Sequence, residues 1–244
     1  MKVGLFIPCY VDQFYPQVAI ATLELLRKLG VEVEYPLDQT CCGQPMSNAG
    51  YESTGNRATQ LFIDNFKKFD FIVSPSGSCV LHVKEHSTNT ESNEAAKKVA
   101  RSVYELSEFL VDVLQVDRLT ATFPFRVGYH ASCHGLRGLH LGPPSEVHYS
   151  IPSKPHQLLN LVDGIELVEL TRPDECCGFG GTFAVSEPAI SAKMGKDRIE
   201  DHRQHGAEVI TGGDVSCLMH LEGLLKRQKS PIRVMHLAEI LNHT

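Results

Sequence analysis

Short apolar runs alternate with amphipathic stretches along the first half of the chain. Residues 3–7 are almost continuously apolar, with the length and content of a buried parallel strand. Residues 16–29 place Val18 and Leu25 on one helical face, and Gly30 follows as a stop signal. The same reasoning predicts strands at residues 31–35 and 71–73, and helices over residues 55–69, from residue 79 with Ser78 as N-cap, and over residues 94–114.

The second half repeats this order of elements. The segment 234–241 echoes the segment 104–110, and residues 120–124 form the junction. Alternating strands and helices predict an α/β fold with a parallel sheet and helices on both faces. The repeat predicts two similar doubly wound halves, with domains at residues 1–120 and 121–244. The elements predicted here are strands at residues 126–129, 164–170 and 207–211, and helices over residues 188–205 and from about residue 215.

The cysteines follow the same repeat, and none of the eight is left over. Each half has one cysteine after its first strand, a Cys-Cys-Gly motif after its second, and one cysteine after its third. Ligands of parallel sheets bind beyond the carboxyl ends of the strands, so four cysteines per half are expected to converge. The first set is Cys9, Cys41, Cys42 and Cys79, and the second is Cys133, Cys176, Cys177 and Cys217.

Two such sets of thiols point to a metal. Neighbouring cysteines rarely bridge each other, because the peptide bond between them would be strained, but both can bind one metal or cluster. Four thiolates suit a [4Fe–4S] cluster and equally suit tetrahedral zinc, a choice that the spacing leaves open. Thiol–disulfide exchange is disfavoured because Ser76 and Asp214 stand where a C-x-x-C motif needs its first cysteine. The duplication disfavours the simpler interpretation that the cysteines are only small buried hydrophobic side chains.

Several histidines lie close to these cysteines in sequence. His82 and His220 each lie three residues after a cysteine, where they could support a sulfur, although a solvated position on a helix is the favoured interpretation. His130 and His134 flank Cys133 and are weaker candidates for a supporting role.

Three other features are ambiguous. Ser76 and Asp214 could act as weak oxygen ligands, but turn or cap duty is favoured. The glycine-rich run at residues 178–181 lacks the lysine and spacing of a nucleotide loop. Residues 135–155, rich in Gly and Pro, break the symmetry of the repeat and form either a functional loop or a surface insertion.

Composition narrows the class of protein. A net charge of −6 and a pI near 6.0 argue against nucleic acid as a partner. No apolar run approaches the roughly 20 residues that span a bilayer, and the apolar start has no small-residue cleavage site before Cys9. We therefore expect no transmembrane segment and a cytoplasmic location, where thiols serve as metal ligands or catalytic groups rather than disulfides.

The motifs Cys41-Cys42-Gly43 and Cys176-Cys177-Gly178 resemble those of the CCG cysteine-rich domain family. That family includes a cysteine-rich subunit of heterodisulfide reductase and the iron–sulfur subunit of glycolate oxidase. The resemblance covers nearly the whole chain and implies two iron–sulfur sites, one for each cysteine set. It also implies an electron-transfer subunit that works with a ferredoxin-like iron–sulfur protein and a third subunit of lactate utilization in oxidising L-lactate to pyruvate.

One departure from the family changes the expected cofactor. Heterodisulfide reductases have C-x-x-C in the last element, whereas Ser76 and Asp214 replace its first cysteine here. A single cubane at each site, or zinc at one of them, is therefore expected instead of fused clusters. A zinc-bound structural module that scaffolds a redox partner is the second functional hypothesis. The chain also lacks a dinucleotide fingerprint and a flavin loop, so it is not expected to oxidise lactate alone.

Overall fold

The protein forms two parallel four-stranded sheets of identical strand order. The computed structural model describes residues 1–86, 94–147 and 151–244. The strands run in the order β2-β1-β3-β4 in the first sheet and β6-β5-β7-β8 in the second. This confirms the predicted α/β class with two similar halves. The strands are β1 Val3–Leu5, β2 Val33–Glu34, β3 Phe71–Ser74, β4 Val103–Glu105, β5 Arg126–Tyr129, β6 Glu166–Leu167, β7 Val209–Gly212 and β8 Arg233–His236.

Helices connect these strands and begin close to the predicted residues. The edge strands β2 and β6 have two residues each and are shorter than the sequence predicts. Two π-helical turns cover Phe109–Val113 and His134–Gly138. The α-helices are α1 Cys9–Phe14, α2 Pro16–Lys28, α3 Gln44–Asn48, α4 Glu52–Phe66, α5 Gly77–His86, α6 Glu94–Ser102, α7 Leu106–Glu108, α8 Lys154–Leu159, α9 Phe183–Ser186, α10 Pro188–Gln204, α11 Val215–Gln228 and α12 Leu237–Leu241.

The predicted helix over residues 94–114 is wrong, because a strand interrupts it. After α6, β4 pairs with β3, with Val103 opposite Ile72. The Glu105 side chain then caps α7 by accepting a hydrogen bond from the Ser107 amide at 2.7 Å. In the second half, His236 at the end of β8 caps α12 in the same way. The echo between residues 104–110 and 234–241 is thus a repeated unit of strand, cap and helix.

The two sheets share one hydrophobic core. Alternate residues of a strand point to opposite faces, so Val3 and Leu5 enter a core that also holds Val127 and Val209 of the second sheet. Helices cross between the halves, since α2 packs against α12 and α7 packs against α8. The opposite face of each sheet packs on a separate hydrophobic cluster.

Hydrogen bonds also cross between the halves. The Tyr15 hydroxyl donates to Glu222 at 2.7 Å, and the Asn242 amide donates to Glu24 at 2.8 Å. The proposed domain boundary near residue 120 stays a prediction, because the shared core joins the two halves. None of the helices in the described ranges combines the length and apolar character needed to cross a membrane.

Candidate metal centre

Two cysteines of each half follow the central strands of its sheet, and the vicinal pair follows an edge strand, β2 or β6. Cys9 opens α1 after β1, and Cys133 precedes the π-helical turn after β5. Cys79 and Cys217 each occupy the third position of a long helix, α5 and α11. Ser78 is not the N-cap that the sequence predicts, because α5 already begins at Gly77.

The first set forms a chain of contacting thiols. The Cys9 thiol donates to the Cys41 sulfur over 3.6 Å. Hydrogen bonds from Cys42 and Cys9 lower the pKa of Cys41, and the same bonds raise the pKa of the two donors. A further hydrogen bond connects Cys42 with Cys79. All four cysteines of the first half are thus joined in one group.

The second set repeats this arrangement. Hydrogen bonds from Cys133 and Cys177 lower the pKa of Cys176, while the pKa values of Cys133 and Cys177 are raised. Cys177 is also hydrogen-bonded to Cys217. All eight cysteines are free. In each half, the first cysteine of the vicinal pair is therefore the acceptor and the favoured thiolate.

The glycine of each Cys-Cys-Gly motif turns the backbone back onto sulfur. Gly43 and Gly178 have φ values of 96° and 86°, in the region that favours glycine. Their amides donate to the sulfurs of Cys41 and Cys176 at 3.4 Å and 3.3 Å. The glycine thus has a conformational role in addition to its small size.

Both sets open into one cavity between the halves. Its volume is about 640 Å³, and seven of the eight cysteines line it, all except Cys41. The loops after β3 and β7 meet beside it, where Gly77 N–H donates to the Gly213 carbonyl at 3.2 Å. The Asp214 carboxylate accepts from Ser78 N–H at 2.8 Å and so caps α5 of the other half. Asp214 therefore caps a helix, as predicted, but the helix belongs to the other half of the chain.

The second half differs from the first at the position of His130. The pairing of β1 with β3 and of β5 with β7 places Phe6 and His130 at equivalent positions, two residues after Gly4 and Gly128. His130 is 1% exposed, and neither ring nitrogen has a hydrogen-bond partner among the described residues. Its burial lowers its pKa to about 3.

His130 also approaches the sulfurs of its own half. One ring nitrogen of His130 and the sulfurs of Cys177 and Cys217 all lie within 4.8 Å of one another. In the parts of the chain that the structure describes, no other three His, Cys, Asp or Glu side chains bring their ligand atoms within 4.8 Å of one another. His130 also lines the shared cavity. The His130 ring can therefore contact a metal or cluster bound by the second cysteine set.

Behind His130 lies a buried polar cluster that the sequence analysis missed. Arg198 and His202 on α10 are both fully buried, and Arg198 donates to Asp201 at 3.2 Å. The corresponding residues of α4 in the first half are Phe62 and Phe66, whose rings stack at 4.5 Å. Comparison of the repeats could have found this signal, because Phe62-Ile63 and Arg198-Ile199 align and the second member of each pair lies four residues after the first.

The other histidines occupy mixed environments. His82 is 4% exposed, so the predicted solvated position is wrong, and burial lowers its pKa to about 4. Its ring stacks on His86 at 4.0 Å. His220 lies 3.3 Å from the Ser191 carbonyl. His134 is exposed and lines the cavity.

Part of the Gly- and Pro-rich segment packs on the other half. The π-helical turn of His134–Gly138 contacts α5, and a Cβ on Gly138 would lie 2.2 Å from the Leu81 side chain. Leu139 and Leu141 enter the core of the first half. Residues 148–150 lie outside the described residues. The described part of this segment is thus built into the interface.

The donor set fits a metal or an iron–sulfur cluster. Each half gathers four sulfurs, the ligand number of a cubane cluster or a structural zinc ion. His130 adds an unpartnered buried nitrogen in the second half. The clustered cysteines, together with the group of His130, Cys177 and Cys217, support metal or iron–sulfur binding.

Known proteins are similar to this chain along its whole length. A family model described as "Cysteine-rich domain" (CCG) matches residues 3–84 and 127–222. "Lactate utilization protein A" of Halalkalibacterium halodurans is 42% identical over 100% of this chain and 97% of its own length. The protein of the same name from Geobacillus thermodenitrificans is 44% identical over 100% of this chain and 99% of its length.

One solved structure illustrates a remote similarity to this chain. A putative Asp/Glu racemase from Yersinia pestis is 14% identical, with a TM-score of 0.40 over 99% of this chain and 95% of that chain. That score is too low for fold or function to be transferred from the racemase.

Proposed function

The chain belongs to the CCG cysteine-rich domain family, and from that membership we propose that it is an iron–sulfur electron-transfer subunit of a system that oxidises L-lactate to pyruvate. A role in lactate utilization is supported by the full-length similarity to proteins named for it. The observation that carries the proposal is the presence of two four-thiol groups that open into one cavity.

Each group would hold one cluster. Cys9, Cys41, Cys42 and Cys79 supply the first ligand set, and Cys133, Cys176, Cys177 and Cys217 supply the second. A bound iron–sulfur cluster supplies a one-electron carrier whose potential depends on charge, solvent exposure and hydrogen bonds to sulfur. Oxidation of L-lactate to pyruvate releases two electrons and two protons, which matches two one-electron carriers in one chain.

Hydrogen bonds within the protein favour the thiolate form that metal binding requires. Metal binding requires thiolates and releases protons, and Cys41 and Cys176 are already the thiolate-favoured members of their groups. The Gly43 and Gly178 amides donate to these sulfurs. Tyr10 and Phe179 close one side of the cavity with an edge contact at 6.2 Å. These residues orient the ligands and exclude water.

Electron transfer of this kind needs partners. A ferredoxin-like iron–sulfur protein would exchange electrons with the chain, and a third subunit of lactate utilization would complete the system. The sequence contains no dinucleotide fingerprint or flavin loop that could take hydride from a hydroxy acid. The oxidation of lactate is therefore assigned to the assembled system rather than to this chain alone.

A zinc-bound scaffold is the second candidate. The compact group of His130, Cys177 and Cys217 favours it, since sulfur and imidazole are ligands that zinc prefers. On this alternative, zinc at the second set would stabilise the fold and hold a redox partner in place.

Anaerobic purification followed by reconstitution tests the proposal. Iron and sulfide should be found in the chain, with zinc at most at one set, and lactate-dependent dye reduction should need all three proteins. A chain carrying both Cys42→Ala and Cys177→Ala is the matched control and should not support dye reduction. Stoichiometric zinc without sulfide would favour the scaffold. Lactate oxidation by the purified chain alone would overturn the assignment of catalysis to the assembly.

A further inference from the structure

Each half contributes four cysteine sulfurs, but the halves differ at the position of His130, a buried histidine beside the sulfurs of the second half. Phe6 occupies the position in the first half that His130 occupies in the second. Phe6 packs against Phe62 and Phe66, with ring centroids 4.7 Å and 5.7 Å away. The fold therefore accepts an apolar ring at this position, and the backbone gives no reason for a histidine.

The buried imidazole costs stability unless it finds a partner. An unpaired polar group inside a protein costs about 1–3 kcal/mol, and both ring nitrogens of His130 lack a hydrogen-bond partner in the described residues. Histidine is also the commonest metal ligand among side chains. The groups that lie beside the ring are the sulfurs of Cys177 and Cys217, within 4.8 Å.

We infer that His130 is a metal ligand of the second cysteine set, so that this half binds its metal through nitrogen as well as sulfur while the first half binds through sulfur alone. The inference rests on the proposed metal-binding role of the second set, and it holds for iron or zinc. It gives the unpartnered ring a function and makes the two halves chemically distinct. Because a cubane cluster or a structural zinc ion takes four ligands, His130 would take the place of one of the four sulfurs.

The polar cluster behind His130 agrees with this difference. Arg198 and His202 replace the aromatic pair Phe62 and Phe66 and keep the surroundings of the second set polar. A Cβ on Gly128 would lie 2.1 Å from His202 Nδ1, so His202 is pressed against the strand that leads to His130.

Cobalt(II) is a suitable probe of the second set alone. In the full chain, Cys41→Ser together with Cys42→Ser disables the first set. His130→Phe, which copies the first half, should then weaken Co²⁺ binding at least about tenfold, the lower end of the loss seen when only a supporting residue is removed. His140→Phe is the matched control, because His140 is an exposed histidine ten positions further along the chain that does not line the cavity, and it should leave the affinity unchanged. Equal affinities of the two variants would overturn the inference.

X-ray absorption at the cobalt edge gives a second readout. The background chain should show an imidazole among its sulfur scatterers, and His130→Cys should retain the metal with sulfur scatterers only. This substitution separates a ligand from a space-filling ring, because a thiolate can replace the ligand but not the ring. An all-sulfur shell in the chain that keeps His130 would overturn the inference, even if His130→Phe failed to fold.

These measurements use no lactate and no partner protein. A chain that fails to support lactate oxidation but shows the imidazole signature would refute the proposed function and leave the ligand assignment standing. The reverse result would refute the ligand assignment alone.

Discussion

Alanine at Gly178 is expected to destabilise the protein through two separate effects. The residue has φ +86°, and a Cβ there would lie 2.6 Å from Met194 Cβ and 2.7 Å from the Ser191 carbonyl oxygen. Left-handed backbone costs a residue with a Cβ about 1–2 kcal/mol. Overpacking against atoms that cannot swing aside adds about 1–3 kcal/mol. The free energy of unfolding should therefore fall by about 2–5 kcal/mol.

Two other glycines separate these effects. Gly30 has φ +78° and would meet nothing within 4 Å, so Gly30→Ala measures the backbone strain alone. Gly43, the equivalent of Gly178, has φ +96°, and the atom nearest to its added Cβ would be the Gly55 carbonyl oxygen at 3.3 Å. Gly43→Ala should thus resemble Gly30→Ala. The lower entropy of the unfolded alanine variants is common to all three and cancels between them.

Urea unfolding of the metal-free, reduced chain gives the comparison. Circular dichroism follows the transition, and an unchanged slope against urea checks that the unfolded states are alike. Gly178→Ala should be less stable than Gly43→Ala by about 1–3 kcal/mol, the overpacking contribution. If Gly43→Ala proved as unstable as Gly178→Ala, steric contact with α10 would not be the cause.

Three further outcomes follow from the structure. Cys42→Ala should remove metal from the first set only, and Cys177→Ala should remove it from the second set only. Metal analysis of each variant measures this. Loss of metal from both sets in one folded variant would contradict the assignment of a separate site to each half. Iron-loaded protein should absorb broadly near about 400 nm and lose iron in air, after which peptide mass mapping should find Cys9 bridged to Cys41, whose sulfurs lie 3.6 Å apart; full iron retention would count against it. Burial raises the pKa of Glu105 to about 7, so the folded state holds a proton that the unfolded state releases, and stability is lost as pH rises from about 4.5 to 7. Across that window Glu105→Gln should gain about 1–3 kcal/mol relative to the native chain in urea unfolding, and parallel curves would refute it.

Elements with a strong local pattern could be predicted from the sequence. The strand at residues 126–129 coincides with β5, and the helix predicted over residues 188–205 ends within one residue of α10. The strand β4 could not be predicted in this way, since residues 94–114 are helical in local pattern and β4 exists because it pairs with β3. Pairing with a distant strand overrides local propensity.

The residues of the candidate site also differ in how far the sequence could predict them. The eight cysteines could be identified because their repeat is visible in sequence, and the structure joins each set through sulfur contacts. Their role as ligands stays a prediction. His130 received little weight because burial, lost hydrogen bonds and the distance to Cys177 are properties of the packed chain. The cap that Asp214 provides to the other half was equally invisible, since its partner, Ser78, lies 136 positions away.

The shared core gives the chain the character of a dimer joined by a linker. In an isologous dimer of identical subunits, the same patch serves both partners, and every substitution appears twice. Here α2 meets α12 and α8 meets α7 in that reciprocal manner, yet one continuous chain supplies both partners. Fusion therefore frees each half to change alone. Phe6 in one half can therefore correspond to His130 in the other. On the proposed function, this difference would give the two clusters unequal potentials and the electrons a preferred direction.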